Sequence, residues 1–139
     1  MKAKKVEDGW YVRVDKGEKV MQTLVDFIAE KQIPAGTITG IGALTEVELG
    51  YFNRESTTYQ RRRFDGIYEL LSLTGNIAYV DNKPMVHAHC LLGDADYQVT
   101  GGHLFEGTIA VTGEFYIRVF TDQFVRTMNP ELKLNLLDI

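Results

Sequence analysis

The three histidines of this 139-residue chain all fall within "HAHCLLGDADYQVTGGHL" (87–104), as His87, His89 and His103. Neutral imidazole is a metal ligand and an acid–base group, so three together point to chemistry. Side chains alternate along a strand, so in an extended segment His87 and His89 share one face, about 7 Å apart along the chain. Ala88 between them is small and faces away. His103 follows "TGG", where paired glycines let the backbone turn sharply or approach another group closely. An antiparallel neighbour would bring it alongside the pair. Three imidazoles around zinc leave a fourth position open for water or a substrate. Zinc is the default divalent ion, and nickel, cobalt, copper and iron accept the same donors. The bland alternative puts His87 and His89 on a solvated strand face and His103 in a loop. With no histidine elsewhere, the metal reading is favoured.

Other chemistry-bearing residues rank below this trio. Glu106 lies close to His103 in sequence, and Glu114 sits in the apolar run "IAVTGEFYI". Either could hold a ligand's N–H or serve as general base toward metal-bound water. The competing reading of Glu114 is an outward residue on an alternating strand. Cys90 is the one cysteine, so no intramolecular disulfide forms. Alternation places it opposite His89, as a small buried hydrophobe. Arg61, Arg62 and Arg63 form the densest basic run. They could contact phosphate, but a solvated hairpin tip is the favoured reading. "GIGAL" (40–44) leads into a strand, and no glycine follows at dinucleotide-binding spacing.

These residues need elements to position them. "GWYVRV" (9–14) reads as a strand. In "DKGEKVMQTLVDFIAEKQ" (15–32) Val20, Leu24, Phe27 and Ile28 recur at helical spacing, with Asp15 or Gly17 starting the helix and Pro34 stopping it. The rest reads as β: 35–52, 66–80, a tight turn at "DNKP" (81–84), then 85–92, 95–102, 107–120 and 132–137. Many short strands with one helix predict a closed or strongly curved sheet packed on that helix. The composition, 45% hydrophobic and 24% charged, suits one domain over residues 1–139. A net charge of −4 gives no general attraction to nucleic acid. The N-terminus lacks the apolar stretch of a signal peptide, and no run spans a bilayer, so a cytoplasmic, non-membrane protein is expected.

The block "YELLSLTGNIA" (68–78) followed by "HAHCLLGDADYQVTGGHLFEGTIAVTGEFYIRV" (87–119) resembles the plant-and-prokaryote-conserved (PPC) domain. The stretches 17–52 and "RTMNPELKLNLLDI" (126–139) fit the same frame. The resemblance implies an α/β (α+β) domain, a curved and mostly antiparallel sheet with one main helix, assembling as a homotrimer. Plant members carry the domain after an AT-hook and are nuclear DNA-binding regulators. Prokaryotic members stand alone and are called predicted DNA-binding proteins. This chain has no R-G-R-P core of an AT-hook, so DNA binding from this chain alone is expected to be weak. Prokaryotic members are similar to it in having H-x-H and G-G-H, while plant members keep the glycines and lack the histidines. The resemblance therefore implies that His87, His89 and His103 serve a metal or ligand rather than packing. Two functions follow. One is a DNA-binding or regulatory module carrying a three-histidine divalent-metal site. The other is a metal-dependent small-molecule binder or hydrolase-type enzyme, with a small anionic ligand at the metal and no physiological DNA role.

Overall fold

The computed structural model describes residues 1–139. Nine strands and one helix follow in the order β1 (Lys2–Val6), β2 (Gly9–Asp15), α1 (Val20–Lys31), β3 (Ala35–Asn53), β4 (Thr58–Phe64), β5 (Tyr68–Val80), β6 (Lys83–Gly93), β7 (Val99–Phe120), β8 (Val125–Asn129) and β9 (Leu134–Asp138). All strand pairs are antiparallel except a single parallel bridge, Tyr79 to Val125, between β5 and β8. The expected curved, mostly antiparallel sheet with one main helix is thus what forms.

The sheet curves until part of it closes. β3 pairs with β5, β5 with β6, β6 with β7, and β7 returns to β3. The ring is made possible by β7, whose 22 residues pair in succession with β6, β3 and β2. Bulges in β3 around Gly42–Leu44 and Thr45–Leu49 bend the long strands and shift their register. Inward side chains, among them Ile38, Leu44, Leu73, Ile77, Leu92, Leu104, Phe115 and Ile117, merge into one core cluster of 23 buried residues. Each such side chain, fully buried, contributes about 1.5–3 kcal/mol of transfer free energy. No helix is long and apolar enough to cross a membrane.

α1 closes the core from the other side. Val20, Met21, Leu24, Phe27 and Ile28 are its buried residues, the helical period read from the sequence. Phe27 meets Trp10 of β2 edge to face, centroids 5.4 Å apart. The helix begins later than expected. Asp15 still belongs to β2, Gly17 takes a left-handed turn at φ 87°, and Val20 is the first helical residue. Lys19 at the N-cap offers no side-chain acceptor, so the first-turn N–H groups need another partner. Glu106 supplies it from β7. Its Oε1 accepts from Met21 N at 2.8 Å and its Oε2 from Gln22 N at 3.2 Å. At the other end Gln32 adopts the left-handed conformation, two residues before Pro34.

Three further sequence expectations change. Segments 95–102 and 107–120 are not separate strands, because β7 runs unbroken from Val99 to Phe120. The paired glycines therefore do not turn the chain. The basic run is not at a hairpin tip but inside β4, paired in register with Glu48, Leu49 and Gly50 of β3. The turn at 81–84 is shorter than expected: Asp81 and Asn82, both at positive φ, join β5 to β6, and Lys83 and Pro84 already belong to β6.

Because Glu106 stands in for the missing cap, Glu106→Ala should lower stability by about 1–2 kcal/mol, the scale of a lost N-cap. Urea unfolding followed by circular dichroism checks this. An unchanged midpoint would mean that the capping bonds contribute nothing.

Candidate metal centre at the β6–β7 seam

The histidines meet where the ring closes. His89 of β6 and His103 of β7 are directly opposite in register, and His87, one pleat back, faces Asn76 of β5. Backbone proximity makes this pairing feasible. A Cβ on Gly101 would lie 2.5 Å from the Cys90 carbonyl oxygen, and one on Gly102 would lie 2.9 Å from that of Gly50. Side chains there would wedge β7 away from both neighbours. The glycines flagged in the sequence thus act by permitting close approach.

The ring centroids are 5.2 Å apart for His87–His89, 5.1 Å for His87–His103 and 5.5 Å for His89–His103. One ligand nitrogen from each lies within 4.8 Å of the others. Around a tetrahedral zinc with Zn–N of about 2.0–2.1 Å, ligand nitrogens stand roughly 3.4 Å apart, so modest side-chain rotation closes the set. His87 and His103 are half-buried and His89 is exposed. Burial lowers the His103 pKa to about 4, and burial followed by the nearby Arg126 charge lowers that of His87. Both are therefore neutral at physiological pH, the form that binds metal. The His103 Nδ1 is buried with no hydrogen-bond partner. A buried polar atom without a partner is uncommon, and a metal ion is one group that would satisfy it. The donor set and this orphaned nitrogen fit a divalent transition metal.

Aromatic rings wall the His103 side. Tyr59 of β4 lies 4.8 Å from the imidazole and Phe105 lies 4.7 Å away, centroid to centroid. On the His87 side the C-terminal β8–β9 hairpin delivers Arg126. Its Nη2 donates to Asn76 Oδ1 at 2.7 Å and lies 3.3 Å from His87 Nδ1, while its Nη1 donates to the Asn135 carbonyl at 3.0 Å. Arg126 Nε is buried and has no partner.

The carboxylates expected nearby are elsewhere. Both Glu106 oxygens are engaged by backbone N–H groups of α1, and Oε1 also accepts from Gly107 N. Glu114 is exposed and pairs in register with Arg13 and Ile41, eleven residues along β7 from His103. Neither is brought to the histidines. Cys90 is buried on the core side, and burial pushes its thiol pKa up to about 11, which leaves it inert. The basic run is largely neutralised by its neighbours: Arg61 pairs with Glu48 at 3.2 Å, and Arg63 pairs with Glu46 at 3.2 Å and Asp65 at 2.5 Å.

Asn76, Tyr59 and Arg126 were not legible as site residues. They lie in three different strands, and no spacing links them to the histidines. Only the pairing of β5 with β6 and β8, and the fold of β4 back over β3, brings them there.

Comparison with solved structures places this geometry among known relatives. A putative DNA binding protein from Bacteroides thetaiotaomicron is 33% identical, with a TM-score of 0.96 over 99% of this chain and 96% of that chain. A plant- and prokaryote-conserved (PPC) protein from Pyrococcus horikoshii is 32% identical, with a TM-score of 0.88 over 99% of this chain and 94% of that chain. A metal-containing protein from Archaeoglobus fulgidus is also 32% identical, with a TM-score of 0.88 over 97% of this chain and 96% of that chain. No curated protein matches the sequence. Residues 1–121 match the family model described as the Plants and Prokaryotes Conserved (PCC) domain, so that the closed sheet, its helix and all three histidines lie within the match, and the chain belongs to that family.

Proposed function

We propose that this chain is a metal-binding PPC-domain protein that holds one divalent transition ion, zinc by default, through His87, His89 and His103. The observation that carries this reading is the convergence of three imidazole nitrogens within 4.8 Å at one strand seam. The orphaned His103 Nδ1 supports it, as does the similarity to a metal-containing protein from Archaeoglobus fulgidus. When bound with three protein ligands, such an ion supplies Lewis acidity and an open coordination position. The chain's own residues orient the set: the β6–β7 pairing holds His89 against His103, and Tyr59 and Phe105 pack the His103 ring. With Glu106 committed to α1 and Glu114 remote, neither carboxylate stands by the histidines as a general base, so ligand binding is favoured over hydrolysis. His89→Ala, at the most exposed of the three, should remove most of the metal from purified protein without unfolding it. Full metal occupancy by elemental analysis of that variant would refute the site.

A regulatory, DNA-associated role is the second reading, supported by similarity to the Bacteroides thetaiotaomicron protein described as a putative DNA binding protein. This chain alone should bind duplex DNA weakly and without sequence preference. Its net charge is −4, and two of the three arginines in its basic run face carboxylates. Each arginine that does reach a phosphate should add roughly 0.9 to the slope of log affinity against log salt. Tight, sequence-selective binding at physiological salt would overturn this and make regulation the primary role.

The chain folds as one domain and assembles as a homotrimer. Ile41, Leu71 and Val111 are 57%, 47% and 65% exposed and line one surface groove, an apolar area suited to a partner copy. Light scattering at micromolar concentration should report a mass three times that of the chain. A monomer would exclude this assembly.

A further inference from the structure

We propose that Arg126 is an oxyanion-binding residue acting jointly with the metal, so that a small carboxylate or phosphate anion bridges the two; this rests on the three-histidine reading above. Arg126 is the one arginine of the chain that is not exposed. Four of the exposed arginines, Arg13, Arg61, Arg63 and Arg118, have carboxylate partners, whereas Arg126 forms no ion pair. A guanidinium stays charged in a protein, and drawing that charge out of water without a counter-charge is unfavourable. Its hydrogen-bond partners are all neutral: Asn76, Asn135 and His87. Its Nε has none.

The contact with His87 cannot survive metal binding. A neutral imidazole has one N–H and one lone pair. Arg126 Nη2 can only donate, so at 3.3 Å it uses the lone pair on Nδ1. If the metal takes Nδ1, it displaces the guanidinium. If the metal takes the other ring nitrogen, the proton moves to Nδ1 and two donors face each other. In both cases loading the site leaves Arg126 with an N–H in need of an acceptor, in addition to the orphaned Nε. A divalent ion, a guanidinium and neutral imidazoles then carry a net positive charge with nothing to balance it. An oxyanion answers all of this, with one oxygen on the open metal position and another accepting from Arg126. A planar guanidinium fork is suited to such bidentate acceptors. Metal binding thereby switches Arg126 from the histidine to the ligand, and anion affinity depends on metal.

The test uses the full chain loaded with Co²⁺, whose visible absorption reports changes in coordination. Acetate and inorganic phosphate are titrated separately, and the stronger binder identifies the oxyanion class. Wild type should show a saturable spectral change that is absent from metal-free protein. Arg126→Gln should weaken anion binding at least tenfold, with Arg126→Lys in between. The same Arg126→Gln protein should bind Co²⁺ as tightly as wild type or more tightly, because the competitor for His87 is gone. A merely structural arginine would weaken metal and anion together. Unchanged anion affinity in Arg126→Gln, or loss of Co²⁺ from that variant while it stays folded, would overturn the proposal. Should Arg126→Gln fail to fold, Arg126→Lys carries the comparison, with anion affinity equal to wild type counting against it. A wild-type chain that takes up neither Co²⁺ nor Zn²⁺ would defeat the metal reading itself, visible before any anion is added.

Discussion

The β6–β7 seam is the constraint on which the rest of the molecule depends. β3, β5, β6 and β7 form a ring only if β7 lies within pairing distance of β3 on one side and β6 on the other. The seam is packed tightly enough that a β-carbon on Gly101 or Gly102 would press against a neighbouring carbonyl. Closure removes the exposed edges that β6 and β7 would otherwise present to other chains. It also brings Leu92 and Leu104 into the common core and aligns His89 with His103. Stability and site geometry therefore share one cause, and the histidines need no separate device to hold them together.

The electrostatics around the seam differ from those of the surface. On the outer strands several exposed charges are paired, as with Arg61–Glu48, Arg63–Asp65 and Arg13–Asp15. Such exposed pairs contribute little to stability, but they flatten the local field. At the seam the pattern reverses. Burial holds His87 and His103 neutral, and one half-buried guanidinium stands beside them without a carboxylate. That asymmetry is unfavourable for folding alone and becomes sensible when a metal and an anion are bound. Sites that bind charge are commonly where a fold tolerates such local disadvantage.

The helix illustrates how acidic residues near a presumed centre can have a structural task. Glu106 is three residues from His103, yet its carboxylate turns to the positive end of α1 and satisfies first-turn N–H groups that Lys19 cannot. This ties the helix, 84 and 85 residues earlier in the chain, to the strand that carries His103. The core seal over the sheet and the site strand are thus mechanically joined.

What the sequence determined by itself is whatever depends on near neighbours. Two-residue alternation placed His87 and His89 on one face and Cys90 on the other, helical spacing set the buried stripe of α1, and turn chemistry marked the β5–β6 hairpin, because period and backbone preference act within a few residues. The histidine trio and the paired glycines were legible as a cluster for the same reason. The long course of β7, the role of Glu106, the place of Arg61–Arg63 inside β4 and the arrival of Arg126 were decided only by tertiary structure. Each rests on a contact between segments distant in sequence, 39 residues apart for Arg126 and His87 and 85 for Glu106 and Met21. No local preference encodes such a contact. It exists because the sheet closes on itself and brings these distant segments within hydrogen-bonding reach.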